Sequence, residues 1–189
     1  DGIAVLNSAD FDEKQLEDKI SSIAQVDKSM LMQSTDGIAE NESENQSVSM
    51  IVPKTPENMG DYIDLVSAEN GSNLEVKSGS VIITQKLAKL LDLKTGDTIT
   101  IKLSGHEEKE FKIGGVSKNY ALHYIYITPD DFESVYGEKP VYNLSFIDLK
   151  KNTDENSFKE QLIANDEFYG ISFKNDSSRG FLNSVDSLD

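Results

Sequence analysis

Residues 80–113 read SVIITQKLAKLLDLKTGDTITIKLSGHEEKEFKI, and this stretch decides the fold. It opens with an apolar run at 81–83, which predicts a short strand. Thr84 is then placed to begin a compact helix. The inward-facing side chains expected of that helix are Leu87, Leu90 and Leu91. The run from Lys94 to Asp97 predicts a turn, because Gly96 can adopt a positive φ without strain.

A β-hairpin follows this turn. The first strand is predicted from the alternation of Ile99, Ile101 and Leu103, and the return strand from Phe111 and Ile113. The four residues 104–107 join the two strands. Gly114 and Gly115 indicate a β-bulge or a close backbone approach.

The chain beyond the hairpin alternates between strands and helices. The run 124–127 is apolar or aromatic on both faces, which predicts a central strand. Thr128, Pro129 and Asp131 form a strong helix start, and Gly137 ends that helix. The remaining predicted elements are a strand at 141–149, a helix from Asp154, a final strand at 171–173 and helical spacing at 181–188.

The chain before the hairpin predicts an amphipathic helix over 11–25 with Asp12 as its cap, because Leu16 and Ile20 share one face. The segment Asp36–Gln46 is acidic and lacks an apolar period, so it is predicted to be an exposed loop. The other predicted elements are strands at about 28–35 and 48–52, a short helix over 56–66 and a polar stretch at 69–79.

The order of these elements predicts an α+β fold. Residues 11–52 read helix, strand, strand, whereas residues 141–174 read strand, helix, strand. The two ends are therefore expected to form one lobe with a β-α-β pattern, built from 1–74 and 138–189. The β-rich segment 75–137 is expected to be inserted into it.

Composition limits the classes of function. The chain has 189 residues and a formal net charge of −16, which argues against binding nucleic acid or an anionic membrane surface. It has no cysteine, which excludes a thiol nucleophile and a disulfide framework. No run is apolar enough to span a membrane. The chain begins at Asp1 without a methionine, so we expect it to be part of a longer protein.

Residues that could carry chemistry are few. His106 lies at the hairpin turn, where exposure is expected, and His123 precedes a strand; neither has a partner at metal-ligand spacing. No nucleophile elbow, P-loop or dinucleotide fingerprint is present. We therefore predict no catalytic, cofactor-binding or metal-binding residues. Asp130 and Asp131 are attributed to the favourable charge of a first helical turn.

Two clusters leave alternatives open. The acidic residues Asp36, Glu40, Glu42 and Glu44 have calcium-binding chemistry but not the spacing of an EF-hand loop, so cation binding there is undecided. The aromatic cluster has the composition of a ligand groove, but a core strand with hydroxyls at its margin is favoured. That cluster consists of Tyr120, His123, Tyr124 and Tyr126.

The stretch Ser80–Ile101, with its run Leu93-Lys-Thr-Gly-Asp97, resembles the extracytoplasmic domain of FtsX-like, MacB-type ABC transporter permeases. The run Val116–Pro129, with Asn119-Tyr120 followed by His123-Tyr-Ile-Tyr126, is similar to large permeases of Gram-positive bacteria. The resemblance covers about residues 80–137. The flanks agree in pattern only.

The resemblance implies a domain on the extracytoplasmic side of the cell membrane, between the first and second membrane helices of a permease, with its ends together. Residues 1–74 and 138–189 would form a Porter-like lobe, and residues 75–137 an inserted Sabre-like lobe. The implied partners are a cytoplasmic ATPase, a second permease half or protomer, and a peptide, lipoprotein or envelope component outside. Such a domain transmits motion and is not an enzyme.

A second class of function stays open at this point. A free-standing secreted module could use the acidic field and the tyrosines to bind a cationic peptide or a polysaccharide. Its gene would encode an export signal and no membrane segment after Asp189, whereas a permease gene would encode hydrophobic spans.

Overall fold

Two units make up the fold, divided between Met32 and Gln33 and again between Pro140 and Val141. The structure is a computed structural model that describes residues 2–7, 12–41, 44–118, 123–164 and 166–173. We call Gln33–Pro140 the middle unit and the remainder the terminal unit. The elements in chain order are β1 (Gly2–Leu6), α1 (Glu13–Ser22), β2 (Val26–Glu40), β3 (Asn45–Pro53), a 3-10 helix (Pro56–Asp61), β4 (Val81–Thr84), α2 (Gln85–Leu90), β5 (Thr98–Leu103), β6 (Lys109–Ser117), β7 (Tyr124–Tyr126), α3 (Pro129–Tyr136), β8 (Leu144–Leu149), α4 (Glu155–Ile163) and β9 (Phe168–Phe173).

The terminal unit contains four strands in the order β2, β8, β1, β9, and each pair of neighbours is antiparallel. The first half of β2 supplies the strand at one end of this order. Both β1-α1-β2 and β8-α4-β9 are strand-helix-strand units whose two strands flank a third strand between them. This is the split β-α-β arrangement of ferredoxin-like folds. Segments from the two ends of the chain thus share one sheet.

Helices α1 and α4 cover one face of that sheet. In α1, Leu16 and Ile20 are buried four residues apart, and the Asp12 carboxylate accepts a hydrogen bond from the Gln15 N–H at 2.9 Å. In α4, Phe158 and Leu162 repeat the same spacing. The predicted Asp12 cap and the face formed by Leu16 and Ile20 are therefore confirmed, whereas Ala24 and Ile163, also expected on the inner faces of these helices, are exposed. The buried side chains that meet in this core are Ala4, Leu6, Leu16, Ile20, Val26, Leu31, Ile147, Phe158, Leu162, Phe168, Ile171 and Phe173.

The middle unit contains six strands that close into a ring. The order is β2, β5, β6, β4, β7, β3, and β3 pairs with β2 again. The second half of β2 enters this ring through Gly37–Glu40, opposite β5. The pairs β4–β6 and β3–β7 are parallel, which requires the intervening crossovers. The enclosed core includes Ala39, Val48, Met50, Val52, Val81, Ile83, Ile99, Ile101, Leu103, Ile113, Ile125 and Phe132.

The sequence predictions for the hairpin region are largely confirmed. Gly96 has a φ of 95°, and β5 pairs with β6 as expected. Gly114 falls at a register shift between β4 and β6, and a Cβ there would lie 2.2 Å from the Ser80 Oγ. Both the bulge and the close approach are therefore present. Leu90 is exposed, however, because α2 ends there and only Leu87 and Leu91 reach the core.

The predicted loop at Asp36–Gln46 is wrong at both of its ends. Strand β2 continues to Glu40 and β3 begins at Asn45. The cause is tertiary, since Ala39 is fully buried in the ring and the Gly37 backbone lies tightly against β5. Pairing with β5 thus outweighs the polar composition. Glu42 lies outside the described residues.

Three further elements differ from prediction. The helix predicted at 56–66 is only a 3-10 helix over Pro56–Asp61, after which Val66 bridges to Asn73. Strand β1 was not predicted, since its five residues show no alternation. The strand predicted at 141–149 begins at Leu144. The helical spacing at 181–188 falls outside the described residues.

Residues 33–74 group with the middle unit, because β2 and β3 complete its ring. The division into functional lobes at 74/75 and 137/138 stays a prediction. The naming of the lobes as Porter-like and Sabre-like stays a prediction.

Candidate functional site

The two ends of the described chain meet in the terminal unit. Strands β1 and β9 are antiparallel neighbours, and their register pairs Gly2 with Phe173 and Ala4 with Ile171. Because β1 begins where β9 ends, both strands reach the same end of the sheet. The contact is tight, since a Cβ on Gly2 would lie 2.9 Å from the Ile171 Cδ1.

This arrangement has a mechanical consequence. Strand β1 lies between β8 and β9 and is hydrogen-bonded to both. If the segments before Gly2 and after Phe173 are displaced together, the terminal unit follows as one body. If they are drawn apart, the β1–β9 ladder must open pair by pair from this end.

Polar contacts reinforce the terminal unit by joining segments far apart in the sequence. The Lys19 ammonium holds the pKa of Glu167 below its ordinary value by hydrogen bonding to the carboxylate. The other contacts are Gln25 Nε2 to Gln161 Oε1 at 2.9 Å, Lys150 Nζ to the Ala24 carbonyl at 2.7 Å and Asn7 Nδ2 to the Asp166 carbonyl at 2.6 Å.

Two of the tyrosines that the sequence singled out are buried on β7, where they alternate with Ile125, the β7 residue that belongs to the enclosed core. Tyr124 and Tyr126 are buried on β7 with ring centroids 6.2 Å apart. Burial raises the pKa of Tyr126, so its phenol stays neutral. A buried strand was the favoured interpretation, but the hydroxyls expected at its margin are buried as well, since Tyr126 is only 2% exposed. Tyr120 lies outside the described residues.

The two histidines occupy separate environments. His123 is half-buried, and its Nδ1 lies 3.0 Å from the Ser47 carbonyl. His106 was expected to be exposed, but its side chain is only 23% exposed. The reason is a contact that spacing cannot show. Its ring packs edge-on against Tyr136 at 4.9 Å, and its Nε2 lies 2.8 Å from the Glu138 carboxylate.

Some of the acidic residues accept hydrogen bonds within the fold. Asp36 accepts from the Ser49 hydroxyl at 2.9 Å. Asp131 accepts from the Gly79 N–H at 2.8 Å and from the Ser78 hydroxyl at 3.2 Å, a role that the sequence did not reveal. Within the described ranges, no three His, Asp or Glu side chains are grouped to hold a metal ion.

An open depression of about 500 Å³ lies at the β2–β3 turn, where the predicted acidic loop was placed. Its lining consists of Glu40, Asn41, Glu44, Asn45 and Gln46.

Across the part of the chain that the structure describes, no helix has the length and apolar character needed to cross a bilayer.

No model of a known protein family matches the chain, and no curated protein sequence matches it. Solved structures do share its fold. The extracellular domain of the noncanonic ABC-type transporter YknZ from Gram-positive bacteria aligns over 89% of this chain and 97% of its own, with 15% identity and a TM-score of 0.57.

A second solved structure agrees with the first. The periplasmic region of MacB from Actinobacillus actinomycetemcomitans aligns over 100% of this chain and 92% of its own, with 12% identity and a TM-score of 0.53. The resemblance inferred from the sequence is thus confirmed at the level of the fold, and this chain has the fold of the extracytoplasmic domains of MacB-type ABC transporter permeases.

Proposed function

We propose that this chain is the extracytoplasmic domain of an ABC transporter permease, placed between the first and second membrane helices of a permease unit. The observation that carries the proposal is the pairing of Gly2 with Phe173. The segments before β1 and after β9 then join the fold at the same end of the terminal sheet. A connection to two neighbouring membrane helices requires this arrangement. The likeness to the YknZ and MacB domains supports the same assignment.

In this proposal the domain couples cytoplasmic ATP hydrolysis to movement outside the membrane. An ATPase on another chain drives the membrane helices, and the paired strands pass the displacement to the terminal unit. A second permease half or protomer completes the complex, and a peptide, lipoprotein or envelope component binds outside. The domain contributes export, mechanotransmission or substrate sensing, and performs no chemistry of its own.

The location can be tested with single cysteines, because this segment has none of its own. Val141→Cys and Tyr169→Cys suit this purpose, since the two side chains are 50% and 56% exposed. In intact cells that express the full-length gene, a membrane-impermeant maleimide should label both variants without permeabilisation. The full-length protein without either substitution is the control. Labelling that required permeabilisation would place the domain in the cytoplasm and end the proposal.

The coupling can be tested in the same variants. We expect the labelling rate to change when the permease and its native ATPase are trapped with ATP and vanadate. The change should disappear with an ATPase whose phosphate-binding lysine is replaced. A labelling rate indifferent to nucleotide in the native complex would contradict the coupling role while leaving the location intact.

The net charge of −16 favours a second candidate, a secreted module that binds a cationic peptide or a polysaccharide. The full-length gene separates the two candidates. A gene with an export signal and no hydrophobic span on either side of this segment would replace the permease proposal with the secreted module.

A further inference from the structure

The turn between β5 and β6 carries a histidine with acceptors at both ring nitrogens. The Nδ1 of His106 lies 2.9 Å from the Ser104 carbonyl oxygen, and its Nε2 lies 2.8 Å from the Glu138 Oε1. A neutral imidazole has one N–H and can donate to only one of these oxygens, whereas an imidazolium donates to both. The geometry therefore favours the doubly protonated ring.

The surroundings of the ring favour a positive charge as well. His106 lies against the C-terminal end of α3, where Gly137 caps the helix with a φ of 75°. The carbonyls at a helix C-terminus carry partial negative charge that stabilises a nearby cation. The ring of Tyr136 packs against the imidazole in a T-shaped arrangement with centroids 4.9 Å apart, which shields this side of the ring from water.

We propose that His106 is a proton-operated latch. When its ring is protonated, its charged Nε2–H bonds Glu138 and fastens the β5–β6 turn to the end of α3, and loss of one ring proton removes the charge that strengthens this bond. This inference concerns the middle unit alone and does not depend on the permease proposal.

The groups that face His106 are few. Glu138 faces it from the segment after α3 and Tyr136 from α3 itself. Burial raises the pKa of Tyr136 to about 12, so this phenol stays neutral while the histidine titrates. On the turn itself, Glu107 follows in sequence, and Glu108 shares a hydrogen bond with Glu40 that raises the Glu108 pKa. Glu138 is thus the carboxylate bonded directly to the ring.

The hydrogen bond to Glu138 raises the pKa of His106 above its ordinary value of 6.5. A group whose pKa is raised by folding stabilises the folded state below its unfolded pKa, and that stabilisation is lost as the pH rises through the folded pKa. The latch is therefore closed below the folded pKa of His106 and opens as the pH rises through it.

Titration by NMR tests the protonation state directly. In ¹⁵N–¹H spectra of the whole chain, the His106→Gln variant assigns the two histidines. We expect a His106 pKa above 6.5, protons on both ring nitrogens below it, and a lower pKa in Glu138→Gln. Glu107→Gln is the control, because it removes a neighbouring charge without touching the contact. A His106 pKa at or below 6.5 that Glu138→Gln leaves unchanged would overturn the proposal.

Hydrogen exchange tests whether the proton holds the turn. The His106 N–H bonds the Leu103 carbonyl at 3.1 Å, and its neighbours in the turn report local opening. At about pH 5.5 the wild-type turn should exchange roughly threefold to tenfold more slowly than in Glu138→Gln, and at about pH 8.5 the ratio should approach one. Because both proteins are compared at the same pH, the intrinsic pH dependence of exchange cancels. Equal ratios at both pH values would show that the contact is not a latch.

Discussion

The terminal and middle units differ in how far apart their parts lie in the sequence. In the middle unit, consecutive segments of Gln33–Pro140 build a ring whose β5–β6 hairpin is local. In the terminal unit, β1 pairs with β8 and β9 from the other end of the chain. The middle unit is thus built from one continuous segment of the chain, whereas the terminal unit requires partners from both ends of it.

The largest loss of stability is expected from a charge placed in the buried strand β1. Ala4 is fully buried, and Ala4→Asp should reduce the free energy of unfolding by about 5 kcal/mol or more, because the carboxylate has no partner in that core. Hydrogen exchange should show lost protection in β8 and β9 before β5 and β6. Ala39→Asp is the matched variant in the ring and should reverse that order. Equal loss of protection in both units after either substitution would show that the two units do not differ in this respect.

Replacing one buried phenylalanine in each unit by alanine compares the stability of the two cores with the same substitution. Phe158 in α4 and Phe132 in α3 are both fully buried. Changing each to alanine should cost about 3–5 kcal/mol, because a similar cavity remains in either core. Urea unfolding provides the measurement, with Phe→Leu at each site as the milder control. A cost below about 1 kcal/mol at one site would indicate that its core relaxes around the cavity.

The caps of α3 and α4 are expected to differ in how their contributions to stability depend on pH. Thr128 caps α3 by accepting from the Asp131 N–H at 3.2 Å, and Thr128→Ala should cost about 1 kcal/mol without a direct dependence on pH. In the terminal unit, hydrogen bonds from Ser157 lower the pKa of the Asp154 cap of α4. Its contribution is therefore present above the unfolded value of 3.8 and lost as the pH falls through the lower folded pKa.

Thermal unfolding of Asp154→Asn against wild type measures that dependence. Asparagine keeps a capping oxygen but does not titrate in this range, so the difference between the two proteins should shrink as the pH falls below 3.8. A difference that stays constant from neutral to acidic pH would contradict the assignment.

Glycine substitutions give the smallest expected effects. Gly137 has a φ of 75°, so Gly137→Ala should cost about 1 kcal/mol in the middle unit. In the terminal unit, Gly170 has open space around its Cα and no positive φ, and Gly170→Ala should stabilise by about 0.5 kcal/mol. Melting temperatures of both variants and the wild type, measured under the same conditions, show whether each substitution stabilises or destabilises the protein. Destabilisation by Gly170→Ala would show that β9 needs glycine for another reason.

How much the sequence predicts follows the same division between the units. Alternation at Ile99, Ile101 and Leu103 specified β5, because a strand of the ring buries every second residue. In contrast, β1 shows no alternation, because its side chains are buried or half-buried on both faces of the sheet. The polar segment up to Glu40 was misjudged because its pairing with β5 outweighs composition.

The order of the elements placed both ends of the chain in one lobe, but the meeting of the ends themselves was implied only by the resemblance. The meeting of Gly2 with Phe173 joins residues that no periodicity connects. The contact of His106 with Glu138 spans 32 residues and involves two turns, where pattern carries little information. Local rules locate strands and caps, but they do not show which distant ends come together.

The position of β1 at the centre of the terminal sheet has a consequence for biosynthesis. This strand leaves the ribosome first among the described elements, yet both of its neighbours are translated last. At the usual speed of protein synthesis the delay is on the order of ten seconds. During this interval the apolar β1 segment lacks its partner strands and is exposed to chaperones and to other nascent chains. The ring has time to assemble before β1 can pair with β8 and β9.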